Sequence, residues 1–259
     1  MSVGAHPRES MHFSPLGDRA VVIALGATID EATHRRVRAV CARLEMRPVA
    51  GMIECVPAFA SVVVHYDPAR VPLHASVGDA RALARNAPAS TQDASPYACM
   101  VASLADALTP PLDERPLSAA VVEIPVCYGH EFGPDLVDVA RHAHLTPDEV
   151  VQMHAAGDYR VHMIGFLPGF PYLGGLSDRL ATPRRATPRT LVPAGSVGIG
   201  GRQTGIYPMD APGGWQLIGR TPLALFLPDQ EPPTRLRMGD RVRFRPISAQ
   251  EFERWSPSA

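Results

Sequence analysis

The chain has 259 residues, is 46% hydrophobic and carries a formal net charge of −1 at pH 7, so it can bury one real core or two modest ones. That charge gives no electrostatic case for nucleic acid or an anionic membrane, and no apolar run of about 18 residues exists to span one. All 25 basic residues are arginine, which excludes a lysine Schiff base, a covalent pyridoxal phosphate link, a Walker A loop and a biotin carrier.

The opening MSVGAHPRESMHF lacks the apolar stretch of a signal peptide. Cys41, Cys55, Cys99 and Cys127 show no close pairing and read as buried thiols of a reducing, cytoplasmic protein. AVVIAL (20–25) predicts a buried strand. Asp30 can cap a helix in which Val37, Val40, Cys41 and Leu44 recur at helical spacing. MIECV (52–56) and ASVVVHY (60–66) read as two strands, and a second helix is expected over 76–86. This βαββα order predicts a small α+β sandwich over 11–87 with both helices on one face.

Residues 88–118 are rich in Pro, Ser, Thr and Ala with weak periodicity and read mostly as linker. A second domain, 119–259, opens with the strand VVEIPV (121–126). TPDE (146–149) is a capping box with Pro147 in the first helical turn, and a helix through His154 should follow. A strand near YRVHMIG (159–165) leads into GFLPGFPYLGGL (165–176), too rich in glycine and proline for a regular helix and too rich in rings for a passive linker. Its rings offer a partner interface, a ligand wall or a plug for the barrel; Phe166 is expected as the plug and Tyr172 as the ring facing a ligand. From 177 onward short apolar runs alternate with glycine and proline, the pattern of a β-barrel with elaborated loops. In the tail RLRMGDRVRFRPI the five arginines from 235 to 245 read as one solvated strand face rather than a nucleic-acid contact.

Several chemical motifs fail on inspection. Read from Gly198 as GxGxxG, the run GSVGIGG (195–201) has Gln203 at its sixth position, so turn-forming glycines or an unorthodox anion nest remain. Ser196 in AGSVG resembles a nucleophile elbow, but the last histidine, His162, precedes it, against the order such hydrolases require. His142 and His144 lie two apart on a predicted helix, hence on different faces, and no metal site is expected. His154 is a candidate for a structural or substrate hydrogen bond. Arg184 and Arg189, in the proline-stiffened TPRRATPR, and Arg220 after GGW suit capture of a carboxylate or phosphate, although surface arginine explains each as well.

GFLPGFPYLGGL followed by TPRRATPRTLVPAGSVGIGGRQTGIYPMDAPGGWQLIGRTPL closely resembles the signature of the 5-oxoprolinase B-subunit family. That family also takes in allophanate hydrolase subunit 1 and the sporulation-kinase inhibitors. The likeness extends through IPVCYGHEFGPDL and HAAGDYRVHMIGF and, more weakly, to LGDRAVVIALG and IECVPAFASVVVHYDP. It implies a small N-terminal α+β domain followed by a cyclophilin-like β-barrel domain, similar to one half of the carboxyltransferase module of urea carboxylase. It further implies membership of an ATP-dependent complex opening 5-oxo-L-proline to L-glutamate, beside a second carboxyltransferase-like subunit and a lactam-hydrolase subunit. ATP, with Mg, would then be bound in an unorthodox way or shared with a partner. The urea or allophanate branch, and a non-enzymatic inhibitor of a sensor histidine kinase, are the alternatives the same signature allows. For such a substrate the expected cleft lies in the barrel domain, walled by Tyr172, Tyr207 and Trp215. Gln203 and Arg220 would be its polar contacts and Arg184 or Arg189 its rim; no catalytic residue is assigned.

Overall fold

A computed structural model describes residues 11–28, 30–73, 95–114 and 121–255. The chain divides into two units, Met1–Pro116 and Leu117–Ala259. In the first, β1 (His12–Pro15), β2 (Ala20–Ala24), β3 (Met52–Pro57) and β4 (Ser61–Tyr66) form a sheet in the order β1-β2-β4-β3, antiparallel throughout. β1 adds an edge strand to the expected set. Its HFSP sequence carries a proline, which an edge tolerates and which masks the strand in the sequence.

Helix α1 (Glu31–Met46) is capped as anticipated: the Asp30 carboxylate accepts the Thr33 N–H at 2.8 Å. Val37, Val40, Cys41 and Leu44 are buried, and the helix packs on β3 and β4. The helix expected over 76–86 lies outside the described residues. The stretch expected as linker holds, in its described part, helix α2 (Pro96–Leu108). Ser95 caps it and Pro96 opens it, and Cys99, Met100, Val101, Leu104 and Leu108 are buried along it. Arg43 of α1 donates to the carbonyls of Ala107, at the end of α2, and Pro111 beyond it. Composition alone hides this helix because its apolar residues are mostly small.

The second unit holds β5 (Val121–Tyr128), α3 (Leu136–Ala143), α4 (Pro147–Ala155), β6 (Tyr159–Ile164), β7 (Pro171–Gly174) and β8 (Arg189–Val192). It continues with β9 (Ser196–Gly200), β10 (Gln203–Ile206), β11 (Ala211–Gly213), β12 (Gln216–Arg220), β13 (Arg241–Pro246) and the short α5 (Ala249–Glu253). Seven strands close a barrel in the order β10-β7-β6-β13-β5-β12-β9, with β8 and β11 pairing separately. The capping box at Thr146 and Glu149 starts α4 as anticipated. α3 ends one residue before His144, which caps it in a left-handed conformation (φ 54°), so of the two neighbouring histidines only His142 is helical.

Period-two alternation assigns the barrel's two faces. Ile124, Val126, Val161, Leu173, Val197, Ile199, Ile206, Ile218, Val242 and Phe244 fill the bore. In β13 the arginines alternate outward with Val242 and Phe244: Arg241 pairs with Asp158 and Arg245 with Glu123. These ion pairs make the arginine-rich strand a solvated wall of the barrel. Among the described residues no helix is long and apolar enough to cross a membrane.

Candidate functional site

Residues that alternate away from the bore build a second cluster on the outer face of β7, β10, β9 and β12. It comprises Phe170, Val192, Tyr207, Ala211, Trp215 and Leu217, with Leu167 and Tyr172 packed against it. Phe170 is its centre, meeting Tyr172, Tyr207 and Trp215 at ring-centroid distances of 4.8, 5.2 and 5.5 Å. Tyr172 and Trp215 lie 5.9 Å apart edge to face. The three rings expected to wall a cleft therefore do come together. Neither phenylalanine plugs the barrel: Phe170, 1% exposed, is buried in this outer cluster, and Phe166 is 62% exposed with φ 70°. The turn that brings Phe170 inward, its N–H donating to the Leu167 carbonyl and its carbonyl accepting the Gly165 N–H, leaves Phe166 at the tip.

The glycines of this face are explained by these rings. A Cβ on Gly200 would stand 2.6 Å from Trp215 Cε2, and one on Gly213 would run into the Tyr207 hydroxyl. GSVGIGG is thus strand β9, roofed by an indole, with its edges paired to β10 and β12. The Gly195, Ser196 and Gly201 N–H groups donate to the Tyr207, Pro193 and Thr182 carbonyls, and Ser196–Gly200 is paired on both edges in the barrel, so the run does not fit a phosphate cradle. Among the described residues no group of three His, Cys, Asp or Glu could hold a metal ion.

The TPRRATPR segment lies along Trp215. Thr182 and Gly201 exchange two backbone hydrogen bonds, Gln216 Nε2 donates to the Pro183 carbonyl at 3.0 Å, and the Arg185 N–H donates to the Gly214 carbonyl at 2.7 Å. With residues 183 and 185 fixed on either side of Trp215, the Arg184 guanidinium stands 5.9 Å over the indole ring. Burial pushes the Tyr172 and Tyr207 phenols up, and the Arg184 charge partly offsets this at both. Arg189 turns inward. It forms two parallel hydrogen bonds of 2.8 Å with the buried Asp135 carboxylate, joined by Arg185 at 3.0 Å.

Gln203 sits opposite Gly200 in the β10–β9 register and so shares the face of Trp215. Arg220, opposite Ser196, is on that face too, its Nε donating to the Ala194 carbonyl at 2.7 Å. His154 is not in this group. It is fully buried in the bore, stacked 4.5 Å from Phe244. Thr204 donates its hydroxyl proton to the Gly198 carbonyl at 2.9 Å, so His154 Nε2 must donate to Thr204 at 3.0 Å. Its Nδ1 then accepts the Tyr128 hydroxyl at 2.8 Å. Burial pulls this imidazole's pKa down to about 3, and the ring is neutral. His154 is a structural hydrogen-bonding residue of the barrel core, the first of the two roles its position suggests.

The sequence does not single out Asp135 or Arg185. Its only signal is an acidic residue in GPDL and a second arginine beside Arg184; their meeting across 50 positions is a product of the fold.

Residues 11–236 match the family described as carboxyltransferase domain, subdomain C and D. The chain is 46% identical to the 5-oxoprolinase B subunit of Bacillus subtilis (strain 168), over 92% of this chain and 93% of that protein. The chain belongs to the 5-oxoprolinase B-subunit family of carboxyltransferase-domain proteins. The crystal structure of TTHA0988 matches 89% of this chain at 34% identity with a TM-score of 0.69, and this chain spans 40% of that longer one. The Kluyveromyces lactis urea amidolyase shares the fold at 20% identity, with a TM-score of 0.72 over 97% of this chain and 16% of that one. Family membership accounts for the closed barrel and its appended α+β unit.

Proposed function

We propose that this chain is the B subunit of a cytoplasmic, ATP-dependent 5-oxoprolinase that opens 5-oxo-L-proline to L-glutamate. It works with a second carboxyltransferase-like subunit and a lactam-hydrolase subunit. The observation that carries the reading is Arg184 held over Trp215 beside Tyr172 and Tyr207. A five-membered lactam acid presents an apolar ring face, an amide and a carboxylate. The indole and Tyr172 suit the ring, Gln203 can both donate to and accept from the amide, and Arg184 suits the carboxylate. A charge-assisted hydrogen bond of this kind contributes about 1.5–3 kcal/mol.

The same residues argue that the chain binds and orients rather than completing the chemistry. Both phenols are pushed up by burial and stay protonated at neutral pH, and His154 faces the bore. Neither offers a general base to the cluster. In this reading ATP, with Mg, is bound at a site shared with a partner subunit.

The test is ATP-dependent glutamate release from 5-oxoproline by the co-expressed three-subunit complex, repeated with this chain omitted and with this chain alone. Activity is expected only in the complete complex. Robust turnover by the isolated chain, or a complex indifferent to its omission, would overturn the reading.

A further inference from the structure

Asp135 occupies the N-cap position of α3 yet makes no side-chain cap to its own helix. A carboxylate placed there ordinarily accepts an N–H of the first turn. This one, in a residue only 2% exposed, instead faces the TPRRATPR segment. Its Oδ1 accepts from Arg189 Nη2 and Arg185 Nη1, and its Oδ2 accepts from Arg189 Nη1 and the Leu217 N–H. A carboxylate offers about four lone-pair sites, so these four bonds saturate it. No acceptor capacity remains for a substrate proton, and whatever Asp135 does it does through its partners.

Those partners frame the candidate cleft. Leu217, two residues from Trp215, is tied to Asp135 in both directions, since the Asp135 N–H also donates to the Leu217 carbonyl at 2.9 Å. Arg185 adjoins Arg184, and Arg189 begins β8 beyond it. One buried charge thus fixes the strand bearing the indole and the segment bearing the cation in a single frame. The arginines differ accordingly: two are anchored inward, and Arg184 alone of the three stacks over Trp215.

The geometry points to Asp135 as the positioning residue of this site, setting Arg184 over Trp215 through Arg185 and Arg189 so that one carboxylate of a small ring substrate is met by a pre-oriented guanidinium. The inference rests on the reading of the cleft as the 5-oxoproline site. Loss of alignment weakens the carboxylate contact without touching the bond that is broken, so the defect should appear in KM rather than kcat.

The experiment is steady-state kinetics of the complete complex on 5-oxoproline for the wild type, Asp135→Asn, Arg184→Ala and the double variant, with gel filtration reporting assembly. Asp135→Asn is expected to raise KM about tenfold while kcat changes less than about threefold, and the double variant should be no worse than Arg184→Ala alone. Multiplying effects in the double variant, or an unchanged KM in Asp135→Asn beside a raised one in Arg184→Ala, overturns the positioning role. An unchanged KM in Arg184→Ala overturns the cleft itself and the inference with it. Should Asp135→Asn not assemble, Arg189→Lys serves the same comparison with the same criteria, because it keeps the charge and loses the two parallel bonds.

Discussion

His154 Nε2 and Thr204 Oγ1 lie 3.0 Å apart inside the barrel, joining α4 to β10 through a neutral imidazole. Its proton affinity makes the fold pH-sensitive. With a folded pKa of about 3 against 6.5 in the unfolded chain, His154 leaves stability unaffected above pH 6.5 and lowers it progressively as the pH falls from 6.5 toward 3. Across that window the cost is about 1.4 kcal/mol per pH unit. His154→Phe keeps the stacking on Phe244 but leaves the Tyr128 hydroxyl without its acceptor, whereas Thr204 keeps its bond to the Gly198 carbonyl, and should cost about 1–3 kcal/mol at pH 7. Urea melts at pH 7 and pH 5 should show the gap to wild type narrowing in acid. A gap that stays constant would mean that His154 is not the titrating group.

Gly200 is where the barrel wall admits Trp215. Gly200→Ala places a methyl 2.6 Å from Trp215 Cε2, and the backbone beneath cannot retreat because both edges of β9 are paired. The variant should lose about 1–3 kcal/mol of stability and weaken substrate binding together, since the displaced indole serves both in the proposed cleft. Thermal melts beside Trp fluorescence would report it. Wild-type stability would show that the wall is softer than this packing requires.

Phe166 holds φ 70°, a conformation that favours glycine over any residue with a Cβ. Phe166→Ala and Phe166→Gly both remove the ring contact with Phe170, so their comparison isolates the backbone. The glycine variant should be the more stable by about 1 kcal/mol. Equal melting temperatures would contradict the left-handed geometry.

In the proposed cleft, Gln203 is the residue whose loss should separate binding from stability. Its side chain shares the Trp215 face and forms no hydrogen bond among the described residues, so Gln203→Ala should melt within about 0.5 kcal/mol of wild type. In the complete complex its KM for 5-oxoproline should rise about tenfold, the loss of one hydrogen bond to a desolvated amide. An unaltered KM would move the amide elsewhere.

The legible parts of the sequence are those with a local physical cause. Asp30 and the Val37–Leu44 spacing write out α1, and Thr146 with Glu149 writes the start of α4. The rings Tyr172, Tyr207 and Trp215 group together because glycine-dense strands must roof themselves with something large. The split among the arginines is not legible. Arg184, Arg185 and Arg189 share one proline-stiffened phrase, and only the distant Asp135 decides which of them faces inward. The exposure of Phe166 is likewise not legible, because one turn, closed by backbone hydrogen bonds, buries Phe170 in its stead. Helix α2 does carry a signal in Ser95 and Pro96, an N-cap followed by proline, that its weak periodicity obscures.

β13 enters the barrel between β5 and β6, parallel to the first and antiparallel to the second, although both are made long before it in the chain. On the ribosome, at ~5–20 residues per second, the edges of β5 and β6 therefore wait on the order of ten seconds for the strand that joins them. During that interval the half-built wall is an open template for other strands. Nascent chains stalled before residue 241 should consequently depend on chaperones far more than released ones, and the barrel can close only late in synthesis.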